Sequence, residues 1–414
     1  MQKKHILIVF KEAFCTGWMG STNRIFHVAR VLQTEGYRVT LLAGKYTNIK
    51  VQKQLDSEFP GSVYRTLHSG NYPRLIDNTM ITRRLWRVIL KLLGKELYFL
   101  NLSLGWAISL DYKNVLNNII KKNGEIDIVW GICGGYIDSL FAANSISEEL
   151  KIRNILEMHD PPWHSGLLDE YICITLIYNS LLKNAMSIVV NSQSYYNEII
   201  NKLKCEKERI KIIPQVMGEN LSDSEWKNEK FVMTYVGLLS KDRNLESVLL
   251  SMAEIKQKMR NNFPMILKIY GNGANIKQTL RKAKELHIEN YVFYKGYVEH
   301  NSIVKILEQS ELNILIQSQA ASLFEVPGKL FEYLTSKKKV LGIMMRCETS
   351  QIIERANIGK VFIYEDVKGI SEYLEICIES WKKEDNKPHI NEEYIERFKY
   401  LHFSEEIHKL MLKI

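Results

Sequence analysis

The stretch EVPGKLFEYLTSKKKVLG, residues 325–342, sets a turn, a helix and a strand end to end. Pro327 presets a helical φ, Gly328 lets backbone come close to a ligand, and the run from Lys329 through Leu330 and Glu332 to Leu334 reads as the opening of a helix. A helix N-terminus favours anions, because its unpaired N–H groups and the helix dipole both point there. Phosphate oxygens can take those N–H groups together with the charge of Lys329, and Glu332, about one turn on, can accept hydrogen bonds from ribose hydroxyls. After Lys337, Lys338 and Lys339, the run from Val340 to Met345 is apolar throughout and has the pattern of a buried strand.

Outward from this segment, the order strand, glycine-containing loop, helix, strand recurs in two halves. In the second half, residues 231–237 are strand-like, 240–244 form a polar loop, 245–259 a helix and 265–270 the next strand, closed by Gly271, Asn272 and Gly273. Residues 291–296 and 312–317 continue the pattern. In the first half, residues 5–10 are a strand, 11–21 a loop with Gly17 and Gly20, 22–33 a helix stopped by Gly36, and 37–43 the next strand. Further strands are expected at 126–132, 154–158 and 187–191. Such units predict parallel sheets with right-handed crossovers, an α/β class with a doubly wound sheet in each half. The polar, aperiodic stretch near residues 215–228 marks the boundary, with domains expected at 1–215 and 216–390. Residues 391–414 follow as a helix over 391–412, with a crossing back to the first domain as the expectation.

At 414 residues the chain is too long for one ordinary core, and its 46% hydrophobic and 25% charged residues are those of a globular protein. MQKKHILIVF reads better as a first strand than as a signal peptide, since the apolar run is short and ends at Lys11 and Glu12. No apolar run approaches the roughly 20 residues needed to span a bilayer. The six cysteines have no CxxC spacing, so neither a zinc site nor a disulfide framework is indicated, and a reducing cytoplasm fits them. The net charge of +9 is uneven: residues 71–122 hold nine basic residues against three acidic ones. Within them Arg84, Arg87, Lys91 and Lys95 recur at helical spacing among apolar residues, which reads as a basic amphipathic helix. It is either a surface helix packed on its own core or a contact with a membrane surface. Nucleic acid is not an expected partner, since no recognised motif accompanies the charge.

The 325–342 segment resembles the nucleotide-sugar motif of retaining glycosyltransferases of family 4, the glycosyl transferases group 1. Pro327, Lys329, Glu332 and Tyr333 match a Pro-x-Lys-x-x-Glu-Tyr core found in many members. Most members carry two glutamates with seven residues between them; here the position eight before Glu332 is Phe324, and Glu325 stands one residue off that register. Residues 235–246, YVGLLSKDRNLE, resemble the loop that binds the donor phosphates, with Gly237 in place but Leu238 where an arginine is usual. Lys241 or Arg243 would then supply the charge. Arg243 is preferred, because a guanidinium can hold a diphosphate by two bonds. Gly271 and Gly273 resemble the family's Gly-x-Gly, and residues 292–307 its base-pocket wall, where backbone from Gly296 to Val298 would read the base. In the first half, His159 and Asp160 stand just past a strand, where an open α/β sheet collects ligands and where members place a histidine against the transferred sugar. Asn191 and Ser192 match a strand-end polar pair, and Gly20 lies in a loop that meets donor phosphate or acceptor. Trp18, Trp163 and Tyr136 are candidates for aromatic acceptor platforms, with core packing as the equal alternative.

The resemblance implies a GT-B architecture of two Rossmann-like domains facing a central cleft. The implied activity is a retaining, metal-independent glycosyltransferase that needs no cofactor beyond its nucleoside-diphosphate sugar donor. It would pass the sugar to a saccharide or lipid-linked saccharide in bacterial cell-surface polysaccharide or glycoconjugate assembly, in the cytoplasm with peripheral contact at the inner membrane face. Catalytic roles would fall to His159, Arg243, Lys329 and Glu325, and donor binding to Gly20, Gly237, Lys241, Gly271, Gly273, Val298, Gly328, Leu330 and Glu332. No metal ligands are assigned, since no DxD-like carboxylate cluster stands at a strand end. A nucleotide-sugar epimerase or phosphorylase of the same fold, and a non-catalytic sugar-nucleotide-binding subunit, are the alternatives.

Overall fold

The computed structural model describes residues 4–10, 20–43, 49–66, 107–133, 137–159, 172–218, 227–299 and 302–414. They divide into two compact units, Met1–Gln215 with Phe403–Ile414, and Val216–His402. The expected basic helix near 83–98, Trp18, Asp160, Trp163 and Tyr136 lie outside the described residues.

In the first unit, β1 (His5–Phe10), α1 (Gly20–Thr34), β2 (Arg38–Ala43), α2 (Ile49–Glu58) and β3 (Val63–Arg65) are followed by α3 (Ala107–Asn123), β4 (Ile128–Cys133), α4 (Asp138–Leu150) and β5 (Arg153–Met158). The unit continues through α5 (Ile172–Lys183), β6 (Ser187–Val190), α6 (Gln193–Lys202) and β7 (Ile210–Ile212). The sheet order is β3-β2-β1-β4-β5-β6-β7, with every pairing parallel. HILIVF and IVWGIC, the sequences of β1 and β4, are buried along their whole length, as central strands covered on both faces must be. Helix α1 turns Ile25, Phe26, Val28, Ala29 and Leu32 into the core, and Gly36 ends the turn behind it at φ 81°.

The second unit runs through β8 (Phe231–Val236), α7 (Glu246–Met259), β9 (Met265–Tyr270), α8 (Ile276–Glu285), β10 (Val292–Gly296), α9 (Ile303–Glu308) and β11 (Leu312–Ile316). Beyond these come α10 (Gln319–Ser322), α11 (Lys329–Ser336), β12 (Lys339–Ile343), α12 (Glu348–Arg355), β13 (Gly359–Phe362), α13 (Val367–Lys382) and α14 (Glu392–Ile395). Its parallel order β10-β9-β8-β11-β12-β13 places the sequence reversal between β8 and β11. In open α/β sheets ligands collect at the carboxyl ends of strands beside such a reversal.

The helix expected over 391–412 is broken. After α14 comes a tight turn at Glu396–Phe398, then Lys399 in extended backbone at φ −76° and ψ 155°, and then α15 (Tyr400–Leu412). Phe403, Ile407, Leu410 and Met411 of α15 are buried in the first unit, where His408 meets Glu35 at 2.6 Å.

The loops after β8 and β9 touch through backbone. Leu239 N–H donates to Asn272 O and Gly237 N–H to Tyr270 O, each at 2.9 Å. Gly273, at φ 145°, faces the Leu239 carbonyl at a distance no Cβ could share, and Gly271, at φ 121°, faces that of Gly237 in the same way. These two glycines therefore have a packing reason that is independent of any ligand. Gly273→Ala is expected to destabilise the protein by roughly 2–4 kcal/mol, combining left-handed strain with overpacking. Chemical denaturation measures this, and an unchanged midpoint would contradict the close approach.

Candidate active site

Four of the charged residues picked out in the second half converge at the carboxyl ends of β8 and β11. Gly328 caps α11 in helical backbone with no side-chain hydrogen bond to the first turn, so the amides there have no side-chain cap. Lys329, the first residue of α11, folds back toward the end of β8. Its Nζ lies 3.4 Å from the Val236 carbonyl and 5.5 Å from the centre of the Tyr235 ring, packed against Gly237, where a side chain would displace it. Arg243 Nη2 stands 3.6 Å from Glu325 Oε2, with both side chains partly exposed. Leu330 is fully buried, and its amide donates to the Pro327 carbonyl at 2.9 Å, so it holds the turn rather than offering a free donor.

Burial governs the protonation of this cluster. It brings the Lys329 ammonium down to about 8, helped by the Arg243 charge and opposed by Glu332 and Glu325. It lifts Glu332 to about 7 against the pull of Lys329, and it raises Glu325 against Arg243 and Lys329. Perturbed lysine and carboxylates gathered at a sheet reversal mark this cluster as the candidate site.

Residues that sequence reasoning did not mark hold the cluster in place. Buried Gln317, just past β11, donates from Nε2 to the Glu325 carbonyl at 2.6 Å and to the Ala321 carbonyl at 3.0 Å, and Thr349 adds a bond to the former. The Tyr364 hydroxyl lies 2.9 Å from the Asp242 carbonyl and 3.1 Å from the Gln317 carbonyl, tying the loop of Arg243 to the end of β11. The strand-end place of Gln317 was a readable signal; that of Tyr364 was not, since its partners are distant in sequence.

Other candidates lie apart from the cluster. Lys241 is exposed and lines a cavity of about 710 Å³ with Asn244, Glu246, Lys277 and Lys282, a lining that includes none of Arg243, Glu325 and Lys329. Val298 is partly buried beyond β10, while Tyr297 is 64% exposed and does not belong to the core. Among the described residues no group of three or more His, Cys, Asp or Glu could hold a metal ion.

Within the first unit, Gly20 opens α1, and His159 follows β5 with its amide bonded to the Cys133 carbonyl at 3.0 Å. Its ring is buried, and Nε2 lies 2.7 Å from Glu157 Oε1. Ser192 caps α6 by accepting from the Tyr195 amide, and the buried Asn191 Oδ1 has no hydrogen-bond partner.

Residues 217–393 match the model of glycosyl transferases group 1, a span that takes in every strand of the second unit. This segment is similar to the glycosyl transferases group 1 family. Among solved structures, Anabaena Alr3699/HepE in complex with UDP and glucose aligns over 99% of this chain and 100% of its own, at 13% identity and a TM-score of 0.67. S. aureus TarM, in a complex that contains UDP, aligns over 99% of each chain at 12% identity and 0.62. The lipopolysaccharide outer core galactosyltransferase WaaB aligns over 99% of each at 14% and 0.60. No curated protein matches the chain by sequence. At these identities the likeness shows the fold, which is GT-B, with two parallel-sheet Rossmann-like units.

Lys329 binds its proton less tightly than its ordinary 10.5, so the folded state carries a penalty that is full below pH 8 and fades between about 8 and 10.5. Lys329→Met is therefore expected to raise the melting temperature at pH 7 by roughly 2–4 °C. The gain in melting temperature should shrink toward pH 10.5; a variant that melts lower at pH 7 would show that Lys329 is stabilising instead.

Proposed function

We propose that this protein is a retaining, metal-independent glycosyltransferase that moves a sugar from a UDP-sugar to a saccharide or lipid-linked acceptor. The observation that carries this reading is the paired cation and carboxylate cluster, Lys329 and Arg243 with Glu325 and Glu332, around the uncapped start of α11 beside the β8/β11 reversal. Uridine is chosen as the base because the solved relatives HepE and TarM are described with UDP.

In this reading the diphosphate takes the Gly328 and Lys329 N–H groups at the start of α11 and the charges of Lys329 and Arg243, while Glu332 accepts from the ribose hydroxyls. Glu325 meets hydroxyls of the donor sugar. The bond from the anomeric carbon to the diphosphate oxygen breaks, and its electron pair leaves on the diphosphate. The acceptor hydroxyl oxygen bonds the anomeric carbon from the same face, and its proton passes to a diphosphate oxygen. Two fixed cations at the leaving group supply the charge stabilisation that other enzymes draw from a divalent ion. His159 would meet the transferred sugar. The biological setting proposed is bacterial cell-surface glycan assembly at the inner membrane face. It rests on the basic stretch near 83–98 and on relatives such as WaaB. No helix among the described residues is long and apolar enough to cross a membrane.

A melting-temperature screen against UDP-, GDP-, ADP-, dTDP- and CMP-sugars, with and without EDTA, tests the donor site. UDP-sugars are expected to stabilise the protein, by about 3 kcal/mol at a hundredfold excess over Kd, and EDTA to leave the shift unchanged. Glu332→Gln should weaken the shift. No response to any nucleotide from folded protein would overturn the reading, and stabilisation that EDTA abolishes would overturn metal independence.

A further inference from the structure

Arg24 of α1 is a large, fully buried side chain in the first unit, and it reaches three separate parts of the chain. Its Nε donates to Glu157 Oε1 at 2.6 Å, and its Nη1 donates to the Pro214 carbonyl at 2.7 Å. The guanidinium carbon lies 4.7 Å from the centre of the Phe403 ring. Pro214 stands one residue before the end of the unit's first segment, Met1–Gln215, and Phe403 is the residue at which the unit resumes. One guanidinium therefore holds both places where the chain leaves and re-enters this unit.

Its third contact leads to His159. Glu157 and His159 are two residues apart at the end of β5, so their side chains project on one side. The Glu157 carboxylate is completely buried. Its Oε1 is shared between Arg24 Nε and His159 Nε2, and its Oε2 accepts from Trp130 Nε1 at 2.9 Å. Burial alone would raise this carboxyl, but Arg24 and His159 outweigh it and hold it down to about 2, so it is ionised at neutral pH. An ionised carboxylate only accepts, so Nε2 of His159 must carry the hydrogen and the ring orientation is defined from behind. A buried carboxylate of this kind persists only while its cation stays in place.

We propose that Arg24 and Glu157 are positioning residues for His159: the guanidinium, clamped between the Pro214 carbonyl and the Phe403 ring, sets the Glu157 carboxylate that fixes the imidazole. The proposal rests on the reading of His159 as a group that meets the transferred sugar. Through this chain of contacts the two chain crossings act on turnover without touching substrate.

The test is a double-mutant cycle on UDP release, using the UDP-sugar that shifts the melting temperature most. Phe403→Leu keeps the position apolar and removes the ring from the guanidinium; Glu157→Gln keeps the shape and removes the charge. Each is expected to lower kcat about tenfold or more with little change in the donor KM, since a small misplacement of a catalytic group is costly. In a His159→Ala background the same substitutions should have almost no further effect, the non-additivity of residues acting through one another. Equal losses in both backgrounds would mean the network is only structural and would overturn the proposal while leaving His159 its role. Full activity of His159→Ala would overturn the role of His159 and this proposal with it. If Glu157→Gln does not fold, Phe403→Leu, which leaves the ion pair intact, carries the cycle alone.

Discussion

A lysine ammonium lying against the Val236 carbonyl and over the Tyr235 ring, in the gap left by the missing side chain of Gly237, is the contact around which the second unit's site is arranged. It brings the start of α11 to the end of β8, the two strand-end elements that flank the sheet reversal. Because Lys329 sits in low-dielectric surroundings, its charge is costly and its influence on nearby groups is strong. The raised carboxyls of Glu332 and Glu325 and the lowered ammonium of Lys329 are consequences of the same burial. A protein that only needed stability would place a Leu or Met here. The cluster is a stability cost kept beside the sheet reversal.

The first unit makes a different use of buried charge. Arg24 and Glu157 are both fully enclosed, and the pair is supported by Trp130, His159 and the Pro214 carbonyl. Removing either member would strand the other in an apolar interior, so the network is cooperative by necessity. It fastens α1 to β5 and draws α15 in through Phe403, so the C-terminal helix is part of this unit's core rather than an appendage.

Much of the fold was legible because parallel sheets write plainly in sequence. Apolar runs such as HILIVF in β1 and FVMTYV in β8, each followed by a loop and a helix, leave few topologies open. The start of α11 was equally legible, since Pro327, Gly328 and Lys329 are local signals acting within one turn. Legibility stopped where contacts are long-range. Glycines 271 and 273 pointed to a ligand, and the structure adds a packing reason, a neighbouring loop, that their local pattern could not show. Of the two loop cations, Arg243 was preferred over Lys241 for its guanidinium, and the structure sets Arg243 against Glu325 while Lys241 lines a separate cavity. The break at Lys399 was missed because helical periodicity continues through it, while Phe398 and Phe403 are buried in different units.

From the sequence alone came the α/β class, the two doubly wound halves, the start of α11 and the histidine at the end of β5, all set by periodicity and neighbours within a few residues. Tertiary structure alone decided that Lys329 turns back onto Gly237, that Gln317 and Tyr364 brace the loops of Glu325 and Arg243, and that Arg24 stands behind Glu157 and His159. Those pairings join residues as much as 133 positions apart. No local pattern encodes them, because a buried charge is matched by whichever partner the completed core brings within reach.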